Sequence, residues 1–385
     1  MKILIITYSR EVNPGTFLQA YGVQYAMKQV FPGARVDLLK HKRLYSLSGQ
    51  QKGDRTKEIK KDWNWFKGRI LAIPRRIKYE WNYVRKFHFS NQEFDFFDYD
   101  EDQFRKFADS YDLIVVGSDT ILIELKRNGR FGLMWLLGVD TCKALFAASA
   151  APANYTLSQS DVNVLKTSFS DFKLISVRDS VTFDLLSKKV GLGDRVVNLF
   201  DPTYLIPSSE FHIPYWIGRK LRSIARKRKI ALVNFGNAFE KKKLVTQFVR
   251  SCGYYTIATH YNQWADMNLM SFSPFEWGAM YQYVDLTVTE RFHDSVFSLR
   301  NNKPVVAVDW EPSRFALDGS SKLTNLLDMY GLMNLHYNCM KNDNESRLLE
   351  IIRNVNDEFN LDECRKVNDM IFSSYADLMT KMKFF

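Results

Sequence analysis

One short turn of the sequence holds an acid, a fixed cation and a histidine. Glu290, Arg291 and His293 follow the apolar run from Leu286 to Val288, after which apolar residues recur at helical spacing. Histidine is the usual proton carrier near neutral pH, whereas arginine stays charged and binds oxyanions through its planar fork. The turn therefore predicts a site that holds an oxyanion and moves a proton. A histidine that only packs in the core is the competing interpretation.

Two other turns place polar side chains at the ends of apolar runs. Ser118 and Asp119 follow the run DLIVV, where a carboxylate can bind a sugar hydroxyl or transfer a proton. Arg178 follows the run KLISV, beside a predicted helix start that suits a carboxylate or a phosphate. The alternatives are structural: Asp119 would cap the next segment, and Arg178 would pair with Asp179 or Asp184.

The N-terminal turn is the fourth candidate. Asn13 and Gly15 form a tight loop after the first apolar run, and Thr16 can cap a helix that carries Gln19. A strand, a glycine-containing loop and a helix start together can bind an anion or a sugar hydroxyl. An ordinary structural turn between a strand and a helix is the alternative.

Parallel β-strands that alternate with helices are needed to position these turns. Runs rich in Val and Ile alternate with stretches of helical period, such as Thr16–Gln29 and Phe239–Ser251, and this pattern is typical of the α/β class. The predicted strands are Lys2–Thr7, Arg35–Leu39, Asp112–Val116, Lys143–Ala147, Leu174–Val177, Val196–Phe200, Lys229–Asn234, Tyr254–Ala258, Asp285–Thr289 and Pro304–Val308.

The length of 385 residues and a basic stretch with Pro214 predict two lobes. We place an N-terminal lobe at residues 1–206, a linker at 207–228 and a C-terminal lobe at 229–385. A basic, aromatic insertion is expected at about 45–95, and the C-terminal helix, from Leu361 to Lys383, is expected to pack back on the first lobe. Two parallel sheets that face each other create a cleft at the carboxyl ends of their strands, where ligands bind.

The net charge of +11 is concentrated in two segments. Lys52 to His88 contains 12 Lys and Arg against 4 Asp and Glu, and Arg219 to Lys229 contains 7 Lys and Arg and no acid. The first segment is also rich in Trp, Tyr and Phe, a mixture that suits anionic lipid headgroups. A solvated amphipathic helix pair is the alternative. Nucleic-acid binding is not predicted, because no known binding module accompanies the charge.

Hydropathy, the N-terminal sequence and the cysteines indicate the expected compartment and argue against a membrane-spanning helix or a metal site. No run reaches the roughly 18 apolar residues of a membrane-spanning helix, and the N-terminus lacks a signal-peptide layout. The four cysteines lie far apart without metal-binding spacing, so they predict reduced thiols and no metal site. A cytoplasmic protein is expected, and peripheral contact with the inner face of the membrane is left open.

Taken together, the turns resemble the polysaccharide pyruvyl transferase family. The resemblance is carried by NPGTFLQAYGVQ from Asn13, GSD from Gly117, LFAASAAP from Leu145, ISVRDS from Ile175, DPTYLI from Asp201 and ERFHDSVFSLRNNKPVV from Glu290. Two positions depart from the family pattern. Residues 120–123 replace a common Gln-Val-Trp-Asn, and Arg291 to Asp294 replaces a common Ser-Phe-His-Gly.

The resemblance implies two Rossmann-like lobes arranged as in glycosyltransferases of the B type. It also implies transfer of a pyruvyl group from phosphoenolpyruvate to a sugar of a cell-surface polysaccharide, or of its lipid-linked precursor, as a cyclic ketal. Phosphoenolpyruvate is then a co-substrate, and no metal or other cofactor is required.

Residue roles follow from the resemblance by position. Phosphoenolpyruvate carries a phosphate and a carboxylate, so two cationic sites are required, and the residues assigned to it are Arg178, Arg291 and His293. His293 is expected to act as the acid, with Asp119 or Glu290 taking a proton from the acceptor. The residues assigned to the sugar acceptor are Asn13, Gln19, Ser118 and Asp119.

Two other functions remain open from the sequence. A glycosyltransferase that uses a nucleotide sugar would share the two-lobed architecture, since fold does not fix function. A membrane-associated scaffold in a polysaccharide assembly complex would explain the basic, aromatic segment. Binding of phosphoenolpyruvate, of a nucleoside diphosphate or of anionic liposomes would separate the three.

Overall fold

Two parallel sheets organise the chain. The computed structural model describes residues 1–41, 63–153, 155–316, 319–341 and 344–385. The strands of the first sheet are β1 (Lys2–Ile6), β2 (Arg35–His41), β3 (His88–Phe94), β4 (Leu113–Val116), β7 (Cys142–Ala148), β8 (Leu174–Val177) and β9 (Val196–Asn198). A small hairpin of β5 (Lys126–Arg127) and β6 (Arg130–Phe131) lies outside it. The central strands β1, β4, β7 and β8 are buried along most or all of their length because helices cover both faces of a parallel sheet.

The second sheet repeats the topology of the first. Its strands are β10 (Ile230–Asn234), β11 (Tyr255–Ala258), β12 (Met267–Asn268), β13 (Leu286–Thr289), β14 (Val305–Asp309) and β15 (His336–Asn338). The order is β12-β11-β10-β13-β14-β15 here and β3-β2-β1-β4-β7-β8-β9 in the first sheet. Both orders follow the doubly wound, dinucleotide-binding arrangement, in which strands are added on one side of the first strand and then on the other.

Helices connect the strands and cover the sheets. They are α1 (Pro14–Val30), α2 (Trp63–Leu71), α3 (Ile73–Lys86), α4 (Glu101–Ala108), α5 (Gln159–Phe169), α6 (Ser180–Asp184), α7 (Tyr215–Ala225), α8 (Lys242–Ser251), α9 (Pro274–Met280), α10 (Phe292–Arg300), α11 (Lys322–Met329), α12 (Glu345–Glu358) and α13 (Leu361–Met382). In the parts of the chain that the structure describes, none of the helices is both long and apolar enough to cross a bilayer.

Helix α1 starts sharply and packs closely on the segment that follows β9. The side chain of Asn13 accepts a hydrogen bond from Gly15 N at 3.0 Å, and Pro14 suits the first turn because it has no N–H to satisfy. Gly22 allows the close approach: a Cβ there would lie 2.4 Å from the carbonyl oxygen of Pro202. This contact brings the first turns of α1 next to Asp201.

Several elements of the structure lie across the predicted boundaries. The predicted insertion at 45–95 ends in β3, which pairs with β2 and therefore belongs to the first sheet. The second sheet extends beyond the last predicted strand, Pro304–Val308, because β15 pairs with β14 at its edge. The predicted linker at 207–228 contains α7, which buries Ile217 and Leu221. The division of the chain into 1–206, 207–228 and 229–385 stays a prediction.

Helix α13 returns to the first sheet. Tyr375 donates a hydrogen bond to the carbonyl oxygen of Phe200 at 2.5 Å, and its ring stacks on Phe146 of β7 with centroids 6.1 Å apart. On the other side, Asn368 donates to the carbonyl oxygen of Leu299 in α10. The helix therefore joins both sheets behind the cleft.

Candidate functional site

The residues predicted from the sequence lie at the points where the strand order reverses. In the first sheet Asn13 follows β1 and Asp119 follows β4, and the order reverses between these two strands. In the second sheet the reversal lies between β10 and β13, and Glu290 to His293 follow β13. Such reversal points form the crevice where ligands bind in open α/β sheets.

Asp201, which was not among the predicted residues, is the centre of the cluster. It is buried, it accepts a hydrogen bond from Gln19 Nε2 at 2.5 Å and another from Arg178, and its Oδ2 lies 3.5 Å from His293 Nε2. Burial by itself would raise the pKa of this carboxyl, but His293 and Arg178 outweigh burial and hold the pKa well below its usual range. Asp201 is therefore an anion that ties α1, β8 and α10 together.

Arg178 is paired, but not with the neighbours that the sequence suggested. Its guanidinium contacts Asp201 and lies 3.8 Å from Asp119 Oδ1, while the ring of Phe292 stands 5.4 Å from its Cζ. Asp179 instead caps α6 by accepting a hydrogen bond from Thr182 N at 2.8 Å. Arg178 is thus a buried, fixed cation whose charge is largely neutralised.

Asp119 is the second carboxylate of the cluster. Burial alone would raise its pKa, but Arg178, Lys322 and His293 outweigh burial, and the pKa lies below its ordinary value. Its Oδ1 also accepts from Thr120 N at 2.7 Å, as the capping alternative predicted. The neighbouring Ser118 is fully buried and donates to the carbonyl oxygen of Ala147, so its hydroxyl is committed to the sheet.

His293 is held between α1 and Asp201. A Cβ on Gly15 would lie 2.0 Å from His293 Nδ1, so the imidazole occupies the space that a glycine leaves open. The side chain keeps 16% of its surface exposed. Its Nε2 is buried and has no hydrogen-bond partner among the described residues. The turn after β13 therefore meets the first turn of α1 across the two lobes.

A cavity of about 390 Å³ adjoins this cluster and contains a cation that sequence reasoning missed. Its lining includes Arg178, Asp201, Phe292, Ser149 and Lys322. Burial and the nearby charge of Arg178 lower the pKa of Lys322 to about 8. The ammonium forms no ion pair with the carboxylates in the described part of the chain. The sequence signal was weak: Lys322 follows the helix cap Ser321 after a long loop.

Glu290 and Asp294 serve the architecture of the second lobe. The Glu290 carboxylate accepts from Gly236 N at 2.5 Å, from Trp310 Nε1 and from Arg314 Nη2 at 3.0 Å. Asp294, the departure from the family pattern, accepts from the side chains of three residues at 2.7 to 2.8 Å. Those residues are Asn234, Tyr281 and Thr289. Both carboxylates thus hold their turns in place.

Arg291 belongs to a second group of basic residues. Burial lowers the pKa of His260 well below its ordinary value, and the charges of Arg291 and Arg75 lower it further. Arg75 reaches this group from α3 and donates to the carbonyl oxygen of Thr259 at 2.8 Å. The side chain of Arg291 forms no ion pair with a described residue, and its Nε is buried without a partner.

Unpartnered polar atoms gather around the cleft. Buried donors and acceptors are almost always hydrogen-bonded, so exceptions mark places where a ligand or water is expected. Those around the cleft are Gln19 Oε1, Arg75 Nε, Tyr79 OH, Ser149 Oγ, Asp179 Oδ2, Arg291 Nε and His293 Nε2. Among the described residues no group of three His, Cys, Asp or Glu side chains is arranged to hold a metal ion.

Solved structures with a similar fold include glycosyltransferases. Spinosyn rhamnosyltransferase SpnG, complexed with spinosyn aglycone, has a TM-score of 0.51 at 10% identity, covering 100% of both chains. A ugt transferase from Siraitia grosvenorii, in complex with UDP, has a TM-score of 0.51 at 7% identity, covering 99% of both chains. The predicted fold class is confirmed: two parallel-sheet α/β lobes, as in B-type glycosyltransferases.

Sequence comparison gives the family. No curated protein matches the chain in sequence. The family model described as polysaccharide pyruvyl transferase matches residues 13–312, which include every predicted site residue from Asn13 to His293. The site clusters at the matched turns, and the match extends over most of the chain. The chain therefore belongs to the polysaccharide pyruvyl transferase family.

Proposed function

We propose that this protein transfers a pyruvyl group from phosphoenolpyruvate to a sugar of a cell-surface polysaccharide or of its lipid-linked precursor, and closes a cyclic ketal. The main support is the cavity lined by Arg178 and Lys322 beside the Asp201–His293 contact. A small anionic donor requires fixed cations next to a proton carrier. The cavity volume of about 390 Å³ lies in the range of small-molecule sites.

Lys322 is the main free cation for the donor in this proposal. Asp201 already neutralises most of the charge of Arg178, so Arg178 orients the cluster and Lys322 attracts the anion. Arg291 stands at the start of α10, whose first turn has no side-chain cap. A helix start with unsatisfied N–H groups and an adjacent guanidinium suits the second anionic group of phosphoenolpyruvate.

The reaction takes up one proton at carbon and releases two from the acceptor hydroxyls. A proton delivered to the methylene carbon makes it a methyl group and makes C2 electrophilic. A sugar hydroxyl then attacks C2 and loses its proton, the C2–O bond to phosphate breaks, and a second hydroxyl closes the ring. Of the two hydroxyl protons released, one balances the proton taken by the methyl group and the other leaves on the phosphate.

Two residues are assigned to these transfers. His293 is the proposed acid, because its ring lies at the junction of the two lobes and contacts Asp201. Asp119 is the proposed base for the acceptor hydroxyl, because its lowered pKa leaves it ionised at neutral pH. Gln19, with its free Oε1, and Asn13 are the remaining acceptor candidates. Glu290 is left out of the proposed proton transfers because its carboxylate is engaged by three donors.

Purified protein incubated with phosphoenolpyruvate and a panel of sugar acceptors tests the proposal. We expect phosphate release matched by a mass gain of one ketal-linked pyruvate on the sugar. His293→Ala should lower the rate by about a hundredfold or more, as for the loss of a general acid. Phosphate release without sugar modification, or a wild-type rate from His293→Ala, would contradict the reaction or the role of His293, respectively.

A glycosyltransferase that uses a nucleotide sugar is the second candidate function. The observation that favours it is the fold shared with a transferase solved in complex with UDP. Thermal stabilisation distinguishes the donors, because a ligand that binds only the folded state raises the melting temperature. Stabilisation by UDP and not by phosphoenolpyruvate would favour this candidate.

We also propose that the protein works in the cytoplasm and docks on an anionic membrane that carries a lipid-linked acceptor. The predicted surface needs correction, because Arg75 is buried and Lys78 pairs with Glu276 at 2.6 Å. The opposite face of α3 supplies an exposed apolar stripe. Its members are Ile73, Ile77, Trp81 and Val84, between 52% and 75% exposed. Residues 42–62 and the side chains of Trp63, Trp65 and Phe66 lie outside the described part.

The charges beside this stripe suit an anionic bilayer. Arg76 and Arg85 are exposed on the same helix, and the guanidinium of Arg85 lies 5.2 Å from the ring of Trp81. A helix that exposes apolar and aromatic side chains flanked by basic ones is typical of an interfacial helix.

A further inference from the structure

Three buried hydrogen-bond donors on α3 and at the start of α10 have no partner among the described residues. They are Arg75 Nε, Tyr79 OH and Arg291 Nε. Arg75 is 5% exposed and Tyr79 is 1% exposed, so bulk water does not replace the missing partners. Each donor is costly to bury unpaired, and three in one place indicate a common acceptor.

The helix geometry places these donors together. Arg75 and Tyr79 are four residues apart on α3 and therefore share one face of the helix. A hydrogen bond of 2.8 Å from Arg75 Nη2 to the carbonyl oxygen of Thr259 fixes the guanidinium against the second lobe. Arg291 approaches from that lobe as the residue that precedes α10. Both arginines act electrostatically on Tyr79.

The positive charge at this place lacks a counterion among the described residues. Burial lowers the pKa of Arg75, and the adjacent charge of Arg291 lowers it further. Asp294 is the acid that acts on Arg75, but its oxygens already accept from Tyr281, Thr289 and Asn234. Neither arginine forms an ion pair with a carboxylate in the described part of the chain. An anion would satisfy both the charges and the donors.

We propose that Arg75, Tyr79 and Arg291 form an oxyanion site that binds a phosphate or carboxylate group of a substrate. Two guanidinium N–H groups and a phenol O–H converge from opposite lobes, which is the donor set that such a group requires. The assignment of the oxyanion to a substrate rests on the proposed function. It gives the segment around α3 a direct part in binding: this helix completes a site whose third member comes from the second lobe.

Tyr79→Phe is the sharpest test, because it removes an unpartnered hydroxyl and leaves the ring in the core. Tyr83→Phe is the matched control: it lies one turn along the same buried face, and its hydroxyl donates to the carbonyl oxygen of Glu11 at 3.4 Å. Calorimetric titration of the full chain would use phosphoenolpyruvate, inorganic phosphate, pyruvate and glucuronate as separate probes.

We expect Tyr79→Phe to weaken the Kd of at least one probe by about tenfold or more, as for a lost hydrogen bond to a charged group. Tyr83→Phe should leave every Kd unchanged. Weaker binding of phosphate identifies a phosphate site, and weaker binding of pyruvate identifies a site for the donor carboxylate. Weaker binding of glucuronate alone identifies a site for an acidic acceptor. Arg75→Met should reproduce the loss with the same probe.

Two results would overturn the site. One is a wild-type protein that binds none of the four probes, and the other is a Tyr79→Phe protein that binds them all as tightly as wild type. The outcome is separable from the proposed function, because the titration needs no acceptor turnover. If the wild-type protein forms no ketal but Tyr79→Phe weakens oxyanion binding, the result supports the site and contradicts the proposed function.

Discussion

At the scale of single residues, the chemistry depends on how charges are paired around Asp201. The carboxylate contacts Arg178 and His293 and accepts from Gln19, so groups from three distant segments share one buried anion. A buried charge is stabilised only while its partners remain, and removing one partner leaves the other uncompensated. Asp201 is therefore more important for folding than either of its charged neighbours would be alone.

Asp201→Asn should lower the free energy of unfolding by about 3–5 kcal/mol, because the buried Arg178 loses its nearest carboxylate and keeps only the longer contact with Asp119, at 3.8 Å. Urea denaturation at neutral pH measures this change. Asp362→Asn is the control, since that carboxylate is exposed and its ion pair with Arg365 contributes little. Equal unfolding free energies for Asp201→Asn and wild type would contradict the buried pairing.

The pH dependence of stability provides a second test of the Asp201 pairing. The folded-state pKa of Asp201 lies below its unfolded value of about 3.9, so its stabilising contribution is fully present above that pH. The contribution is lost as pH falls through the folded-state pKa. The stability difference between wild type and Asp201→Asn should therefore shrink as the solution is acidified below about pH 4.

The pKa of Lys322 predicts how donor binding depends on pH. Its pKa of about 8 means that the ammonium loses its proton as pH rises through that value. The kcat/KM for phosphoenolpyruvate should therefore fall above about pH 8, because this ratio reports groups of the free enzyme. Lys322→Arg should keep its activity to higher pH, since arginine stays charged. A wild-type profile that stays level well above pH 8 would contradict this role.

At the scale of elements, α1 decides whether His293 is correctly placed. Gly15 lies against the imidazole, and Gly22, two turns later, lies against the carbonyl oxygen of Pro202. Each glycine allows a different close approach. The first leaves room for the ring of His293, the proposed acid, and the second positions the backbone next to Asp201.

Gly15→Ala should lower kcat by about a hundredfold, because the new methyl group must displace His293 and a shift of about 1 Å can have this effect. Gly22→Ala should instead lower the free energy of unfolding by about 1–3 kcal/mol through overpacking. Kinetics and thermal melts of both variants separate the two effects. Wild-type kcat in a folded Gly15→Ala protein would show that this contact does not position the histidine.

Helix α3 has one buried and one exposed face. The face with Arg75, Tyr79 and Tyr83 packs inward, and the opposite face exposes Ile77 and Trp81. One helix therefore links the interior of the cleft to the surface of the protein. The basic segment predicted from the sequence thus contains residues of two kinds, since some are buried or paired and others are exposed.

At the scale of the whole molecule, the site exists only when the two lobes meet. The carboxyl ends of both sheets face the same cleft, where His293 from the second lobe touches Gly15 and Asp201 from the first. Helix α13 contacts both sheets behind the cleft. The relative position of the lobes therefore controls the distance between the proposed acid and the cationic cavity.

The proposed membrane docking is tested on the whole molecule. The double variant Ile77→Ser and Trp81→Ser should reduce partitioning onto vesicles with anionic lipid by about tenfold or more, because two exposed apolar side chains lose their burial in the bilayer. Vesicle sedimentation measures this. Trp216→Ser is the control, since that tryptophan is 69% exposed on α7. An equal loss in the control, or none in the double variant, would contradict docking through α3.

The sequence by itself determined the class of fold and the turns that carry the site. Continuous Val- and Ile-rich runs specify buried parallel strands, and such strands end at turns whose polar residues must face a ligand crevice. Hence Asn13, Asp119, Arg178 and His293 were predicted at strand ends and are found there. The family match covers the same turns, since it extends over residues 13–312.

Only the tertiary structure decided which of these residues act together. Gln19 and Asp201 are 182 positions apart, yet they share a hydrogen bond. Lys322 enters the cavity beside Arg178, and Arg75 and Tyr79 approach Arg291 from a helix that the sequence suggested only as a surface segment. Pairing, burial and the pKa values they produce depend on distances through space. Local sequence patterns carry no information about those distances, since they are set by how the two lobes and α3 pack.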